Sequence, residues 1–217
     1  LPQVQACVAN VPFADVSYAW QGRQLSLHEY CIAKSLDALI PGGLMAVIVT
    51  HFLLDRADPN FRDLLAAQAD FLGAVRLPSG VLDGTKVVAD ILMLRKRVAG
   101  QPAVHVDHQW TTTTLLILDG HEVRVNLFFQ HQRHCLLGYY SHDNRLYGAS
   151  DGYSVTPTGD LAAQLAAVLQ HFPRDVYAVQ APTPSQEPRA SLPMPSVPAS
   201  LAEGSFFVAK NHAILQV

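Results

Sequence analysis

Four short apolar runs constrain the chain most: VQACVA (4–9), LMAVIVT (44–50), LGAVRL (72–77) and VADILMLRK (88–96). None approaches the roughly 20 residues of a membrane-spanning helix, and each reads as a buried strand. Capped segments separate them. Ser26-Leu27-His28-Glu29 is a capping box, in which hydroxyl and carboxylate satisfy each other's orphan amides. It predicts a helix with Leu27, Tyr30, Cys31, Leu36, Leu39 and Ile40 on one face, stopped by Pro41-Gly42-Gly43. Asp58-Pro59, an N-cap followed by proline at the first helical position, predicts a second helix through about Asp70. Strand, helix, strand, helix, strand, strand makes the fold class α/β: residues 1–98 are expected to form the second half of an open, mostly parallel sheet. Helices are expected at about 26–40 and 58–70. A doubly wound fold keeps a Gly-rich turn in its first half, and this chain contains no GxGxxG.

The pattern changes after Ala99. Residues 103–126 alternate loosely between apolar and polar, with Asp119-Gly120 placed as a hairpin turn. Asn126 to Gln132 reads as a short helix. Thr158-Gly159-Asp160 precedes an amphipathic helix carrying Leu161, Leu165, Val168, Leu169 and Phe172. Residues 99–179 therefore read as a small mixed α+β annex. Pro, Ser, Ala and Gln dominate 180–204, a linker or extended arm, and 205–217 return to a strand-like pattern with a hairpin around Lys210-Asn211.

A net charge of −3 argues against the uniformly basic surface that non-specific DNA binding prefers. Cys7, Cys31 and Cys135 form no CxxC pair and read as free thiols of a reducing, cytoplasmic compartment. The chain opens on Leu1 without a basic leader, and reads as a fragment of a longer protein. His105-x-x-His108 and His131-x-x-His134 have the spacing of metal ligands but lack a second half, so no metal site is expected. Asp37 and Asp55 are explained by a helix face and a loop.

Chemistry is expected at the carboxyl end of the first strand, where open α/β sheets bind ligands. There Asn10-Val11-Pro12-Phe13 replaces the usual small polar turn. The Asn10 carboxamide oxygen and the Val11 carbonyl can each accept a hydrogen bond from one amino group, and the Phe13 ring can stack on a planar one. A proline turn with an Asn cap and a core phenylalanine is the commoner outcome for those four residues alone.

The turn resembles motif IV, [N/D]-P-P-[Y/F], of amino-group methyltransferases. "HEYCIAKSLDALIPGGLMAVIVT" and "DPNFRDLLAAQADFLGAVRLPSGVLDGTKVVADILMLRKR" are similar to the N6-adenine DNA methylase domain of large plasmid- and phage-borne methylase/helicase polyproteins. "VRVNLFFQHQRHCLLG" resembles a later segment of that family, and "EGSFFVAKNHAILQV" the piece after its linker, so the resemblance covers nearly the whole chain. It implies a Rossmann-like class I fold and an S-adenosylmethionine-dependent DNA adenine-N6 methyltransferase of bacterial restriction-modification type. Asn10 and Val11 would hold the N6 amine of a flipped adenine, Pro12 would set the turn and Phe13 would stack on the base. Asn10 would also border the cofactor. Gly84 and Thr85, with Asp90 and Ile91, would line the target side, for which ordinary loop-plus-strand structure is the alternative. Arg95 and Lys96 of the basic triplet Arg95-Lys96-Arg97 would touch phosphate, against the commoner solvent-exposed strand end.

Two residues depart from the family pattern. Val11 replaces its first proline; because only the carbonyl is used, restoring proline is expected to be tolerated. Gln132 stands where the later segment has proline. The Gly-rich cofactor turn would lie outside the chain, which alone is expected to bind the cofactor weakly and to be inactive. Expected partners are DNA, the N-terminal half of the methyltransferase domain and a helicase domain of the same polypeptide, with no membrane. A non-catalytic scaffold and a protein glutamine-amide methyltransferase, which shares the N-P-P-[Y/F] turn, stay open as alternatives.

Overall fold

Leu39–Thr50, the longest strand at 12 residues, organises the molecule. The computed structural model describes residues 3–12, 16–82, 86–142 and 152–177, and the backbone of 206–208 and 214–216. The element order is β1 (Val4–Asn10), β2 (Ser17–Trp20), β3 (Arg23–Ser26), α1 (Leu27–Ala38), β4 (Leu39–Thr50), α2 (Phe52–Asp55), α3 (Asn60–Gln68), β5 (Ala69–Arg76) and β6 (Ala89–Lys96). There follow β7 (Thr113–Leu118), β8 (His121–Asn126), α4 (Phe128–His131), a 3-10 turn (Arg133–Cys135), β9 (Tyr139–Ser141), β10 (Ser154–Thr156) and α5 (Leu161–Leu169). β11 (Phe206–Val208) and β12 (Ile214–Gln216) form an antiparallel pair. The chain divides into Leu1–Gln180 and Ala181–Val217.

The α/β reading stands, with one correction to the sheet. Its order is β1-β4-β6-β5. β1 and β4 are parallel, but β6 runs antiparallel to both β4 and β5, so the sheet is mixed rather than mostly parallel. The physical reason is the connection. Among the described residues no helix lies between β5 and β6, and consecutive strands without a crossover element pair antiparallel.

Helix α1 is closed at its start by Glu29, whose carboxylate accepts the Ser26 amide (2.9 Å) and hydroxyl (2.8 Å). It ends before the expected Pro-Gly-Gly stop. Pro41, Gly42 and Gly43 instead form a bulge in β4, where the register with β1 jumps from Val4–Leu39 to Ala6–Leu44. A Cβ at position 43 would stand 2.8 Å from the Gln5 carbonyl, so the close approach demands glycine. The buried face of α1 is Glu29, Ile32, Ala33 and Leu36, shifted from the expected stripe because Leu39 and Ile40 belong to the strand. At α3 the N-cap is Pro59 rather than Asp58, and Asn60 is the first helical residue; Asp58, one residue further out, accepts the Asn60 amide at 2.9 Å. Met45, Val47 and Val49 meet α1 and α3 in the core, where Phe71 stacks on Trp110 (4.6 Å, 5°).

The Asp119-Gly120 hairpin forms as expected, both residues at positive φ (49° and 80°) between β7 and β8. Asp160 caps α5 through the Ala163 amide at 2.8 Å. The β2–β3 hairpin, turning through Gln21-Gly22 at φ 47° and 76°, was not expected. The expected linker and the Lys210-Asn211 turn lie outside the described residues.

Candidate functional site

Asn10 ends β1 and pairs with Ile48 of β4. Its side chain is exposed and makes no hydrogen bond among the described residues. Val11 anchors the turn: its N–H donates to the Ile48 carbonyl at 3.3 Å, and its side chain is buried in the core. Pro12 is exposed. An exposed carboxamide thus stands on a fixed backbone beside a rigid, solvent-facing residue. The amide bond of Val11 corrects one expectation, since proline at position 11 has no N–H to give Ile48.

One row further along the sheet, Asp90 pairs with Val49 on one side and Arg76 on the other. These charges sit inside strands and satisfy one another. Arg76 is wholly buried and grips Asp90 with two bonds (2.8 and 2.7 Å). It also reaches Asp55 at 3.0 Å and the Tyr153 hydroxyl, with Phe129 packed 4.1 Å beneath the guanidinium. Tyr153 donates to Asp55, which accepts the Asn126 amide at 2.7 Å as well. The Asn126 side chain donates to the Leu54 and Trp110 carbonyls (2.8 and 2.7 Å). Burial pushes the Asp90 carboxyl up to about 6 despite Arg76, and holds the Tyr153 hydroxyl well above its ordinary range.

His51, just past β4, faces Val88 through Nδ1 at 3.1 Å and packs on Phe52 and Tyr153. Because a carbonyl only accepts, Nδ1 carries the proton. Burial first, opposed by Asp55 and aided by Arg76, lowers the His51 pKa to about 4, so the ring is neutral at pH 7. This buried cluster cannot touch a ligand. It fixes the turn after β4, at the same end of the sheet as Asn10. Sequence reading missed it, although a charge within an apolar strand (Arg76 in LGAVRL, Asp90 in VADILML) signals a buried partner.

Arg95 and Lys96 are not brought to Asn10. Arg95 pairs with Leu44, four residues back along β4 from Ile48, roughly 13 Å at about 3.3 Å per residue. Arg95 bonds Asp70 at 2.8 Å and the Val176 carbonyl at 3.1 Å. Lys96 donates to the Asp37 and Leu39 carbonyls at the end of α1 (3.0 and 2.7 Å). Arg97 closes α3 in the same way, through the Ala66, Ala67 and Ala69 carbonyls. Lys96 and Arg97 are thus spent on helix ends, and Arg95 on β5 and the Val176 carbonyl. Burial alone would raise the Asp70 carboxyl, but the Val104 amide with Arg95 and Arg97 outweighs it and holds the group below its ordinary value. Phe13, Gly84 and Thr85 lie outside the described residues.

His105 accepts the Phe71 amide at 2.9 Å, and His131 contacts Asp107 at 2.7 Å. Among the described residues no group of three or more His, Cys, Asp or Glu could hold a metal ion, and no helix is long and apolar enough to cross a membrane. The cysteines are free, and burial pushes the Cys135 thiol up to about 12. Among the described glycines at positive φ, Gly22 and Gly120 turn hairpins, Gly42 and Gly73 lie at register shifts, and none opens a helix.

No family model matches the chain. It is 35% identical over 113 residues to the Defense against restriction protein B of Escherichia phage P1, covering 45% of this chain and 5% of that protein. The chain thus spans about a twentieth of that relative's length. Among solved structures it is similar to the M protein of the type I restriction enzyme EcoKI (22% identity, TM-score 0.42, covering 48% of this chain and 23% of that one). A Listeria monocytogenes protein provisionally described as a class I S-adenosylmethionine-dependent methyltransferase gives 15% identity and a TM-score of 0.41, covering 48% and 35%. A chain of a type I R-M system gives 18% and 0.38, covering 48% and 22%. At these scores the structural likenesses carry no weight for activity.

Proposed function

We propose that the chain is part of an S-adenosylmethionine-dependent DNA adenine-N6 methyltransferase, and that Asn10-Val11-Pro12-Phe13 grips the target amine. The observation that carries this is the exposed Asn10 carboxamide, without a hydrogen-bond partner among the described residues, at the carboxyl end of a strand whose next residue is tied to Ile48. Asn10 Oδ1 and the Val11 carbonyl accept the two N6 hydrogens, turning the nitrogen lone pair out of the base plane. Phe13 stacks on the flipped base, and Gly84 and Thr85 border it. Arg95 and Lys96 stay outside this site, since Arg95 is held by Asp70 of β5 and Lys96 closes the end of α1.

By the family resemblance, the Gly-rich turn that seats the cofactor lies in a neighbouring part of the polypeptide, and Asn10 borders that seat. Residues 1–98 supply the sheet, and 99–179 the annex that braces it. DNA is the substrate and the bacterial cytoplasm the compartment. The restriction-related name of the phage relative fits this setting. The test is methyl transfer to adenine by the complete polypeptide, with Asn10→Ala as the control. Undiminished transfer by that variant would remove the motif assignment.

A further inference from the structure

One pocket lies apart from the Asn10 turn, although the buried Arg76 network builds its floor. It encloses about 360 Å³, at the small end of ligand pockets, which run roughly 300–1,000 Å³. β7 supplies one wall through Leu116, Ile117 and Leu118, and residues 129–140 supply the rest. The floor is fixed. Phe129 is wholly buried against the Arg76 guanidinium, and the Tyr140 ring meets Tyr153 edge-on at 5.1 Å. Gly138 lets the chain pass against β10, since a Cβ there would collide with the Thr156 carbonyl. A pocket held this firmly costs an entering ligand little ordering of the protein.

Three groups of its lining are unspent. The Arg133 guanidinium has no ion pair or hydrogen bond among the described residues, and neither has the Gln130 carboxamide. Tyr139 is 55% exposed. Arg76, Arg95 and Arg97, by contrast, are committed to carboxylates or carbonyls. No carboxylate lines the pocket; Glu122, across from Ile117 on β8, is outside it. Each of the three groups selects a different part of one ligand. An exposed phenol ring stacks on a planar heterocycle. A carboxamide offers a donor and an acceptor together, which matches the edge of a nucleobase. A guanidinium pairs with phosphate at two points, and no acid in the lining opposes it.

We propose that this pocket binds one nucleotide unit, with the base against Tyr139 and Gln130 and the phosphate on Arg133. The aliphatic wall of β7 covers the sugar. This chemistry has two sources, a mononucleotide free in solution or one nucleotide of a DNA strand. The pocket is separate from the target seat. Leu136 bridges Arg76 on the outer side of β5, four strand spacings from β1, roughly 19 Å at about 4.8 Å each. DNA held at both places would leave about five to six base steps between them, at about 3.4 Å each. The inference thus goes beyond the proposed function and does not require methyl transfer.

The test places a photo-crosslinking residue in the pocket of the complete polypeptide, Ile117→p-benzoylphenylalanine, at a position that is 65% exposed. Three radiolabelled probes are irradiated with it: dAMP, a mixed-sequence single strand, and the same strand as a duplex. The expected result is labelling at position 117 that Arg133→Gln and Tyr139→Ser each reduce at least about tenfold. Melting curves should not move, because both side chains are exposed. Unlabelled dAMP should suppress the labelling more strongly than inorganic phosphate. Labelling by dAMP and by neither oligonucleotide assigns the free nucleotide as ligand. Labelling by an oligonucleotide, competed by dAMP, assigns the DNA strand. No labelling by any probe, or labelling indifferent to both variants, would overturn the site, and so would phosphate competing as well as dAMP. Methyl transfer is read separately. A labelled pocket in a polypeptide that transfers no methyl group sinks the enzymatic reading only, whereas transfer with an unlabelled pocket sinks the nucleotide site only.

Discussion

Val11 joins two demands in one residue: its side chain fills the core and its amide fixes the strand end. Val11→Pro should cost about 1 kcal/mol, the ordinary net worth of one hydrogen bond, seen as a lower melting temperature. Equal or higher stability would mean the 3.3 Å contact contributes nothing. His51 makes a sharper prediction. Its native pKa of about 4 lies below the ordinary 6.5, so its contribution is complete above pH 6.5 and is lost as pH falls through 4. At full titration that is on the order of 3 kcal/mol. Asp90, raised to about 6, acts in the opposite sense: its contribution is present below the ordinary 3.8 and lost as pH rises through 6. In the wild type the two partly cancel between pH 4 and 6. His51→Asn leaves Asp90 alone, so its melting temperature should hold or rise from pH 7 to pH 5 while the wild type falls. The same drop in both would show that His51 is not the titrating group. At this scale the legible positions were those whose chemistry is local. Asp119-Gly120 needs positive φ and Asp160 caps its own helix, whereas the role of Gly73 depends on Phe172, far along the chain.

Elements were legible where caps and apolar runs agree, as for α1, α3, α5 and the sheet strands. Direction was not. Whether β6 runs with or against its neighbours is decided by a connection whose path a local pattern does not contain. The network that fixes β4, β5, β6 and β10 to one another was equally hidden, because its members lie far apart: Arg76 and Tyr153 are separated by 77 residues. Removing the cation should show how much it holds. Arg76→Met leaves Asp55 and Asp90 facing each other in a buried site, and should cost about 3–5 kcal/mol. Denaturant unfolding checks this. A loss below about 1 kcal/mol would mean that water or protonation relieves the pair. The later segment VRVNLFFQHQRHCLLG gains a physical account here. Asn126 and Phe129 serve this network and Leu136 bridges Arg76, which are structural tasks rather than contacts with a ligand.

For the whole molecule, the sequence pattern carried the α/β class and the end of β1 at Asn10. The pocket between β7 and residues 129–140 became visible only once the strands were placed. Because the sequence contains no GxGxxG turn, calorimetry on the 217-residue chain should detect no binding of S-adenosylmethionine tighter than the millimolar range; micromolar binding would contradict the proposed division of labour. The most direct measurement is tritiated-methyl transfer to DNA by the complete polypeptide, comparing wild type with Asn10→Ala after thermal melting confirms that both are folded. Loss of one preorganised hydrogen bond at the reacting nitrogen predicts a fall of about 10²–10³ in kcat. Methylation of adenine at the wild-type rate by Asn10→Ala would contradict the assignment and leave residues 10–13 as a turn that only connects two elements.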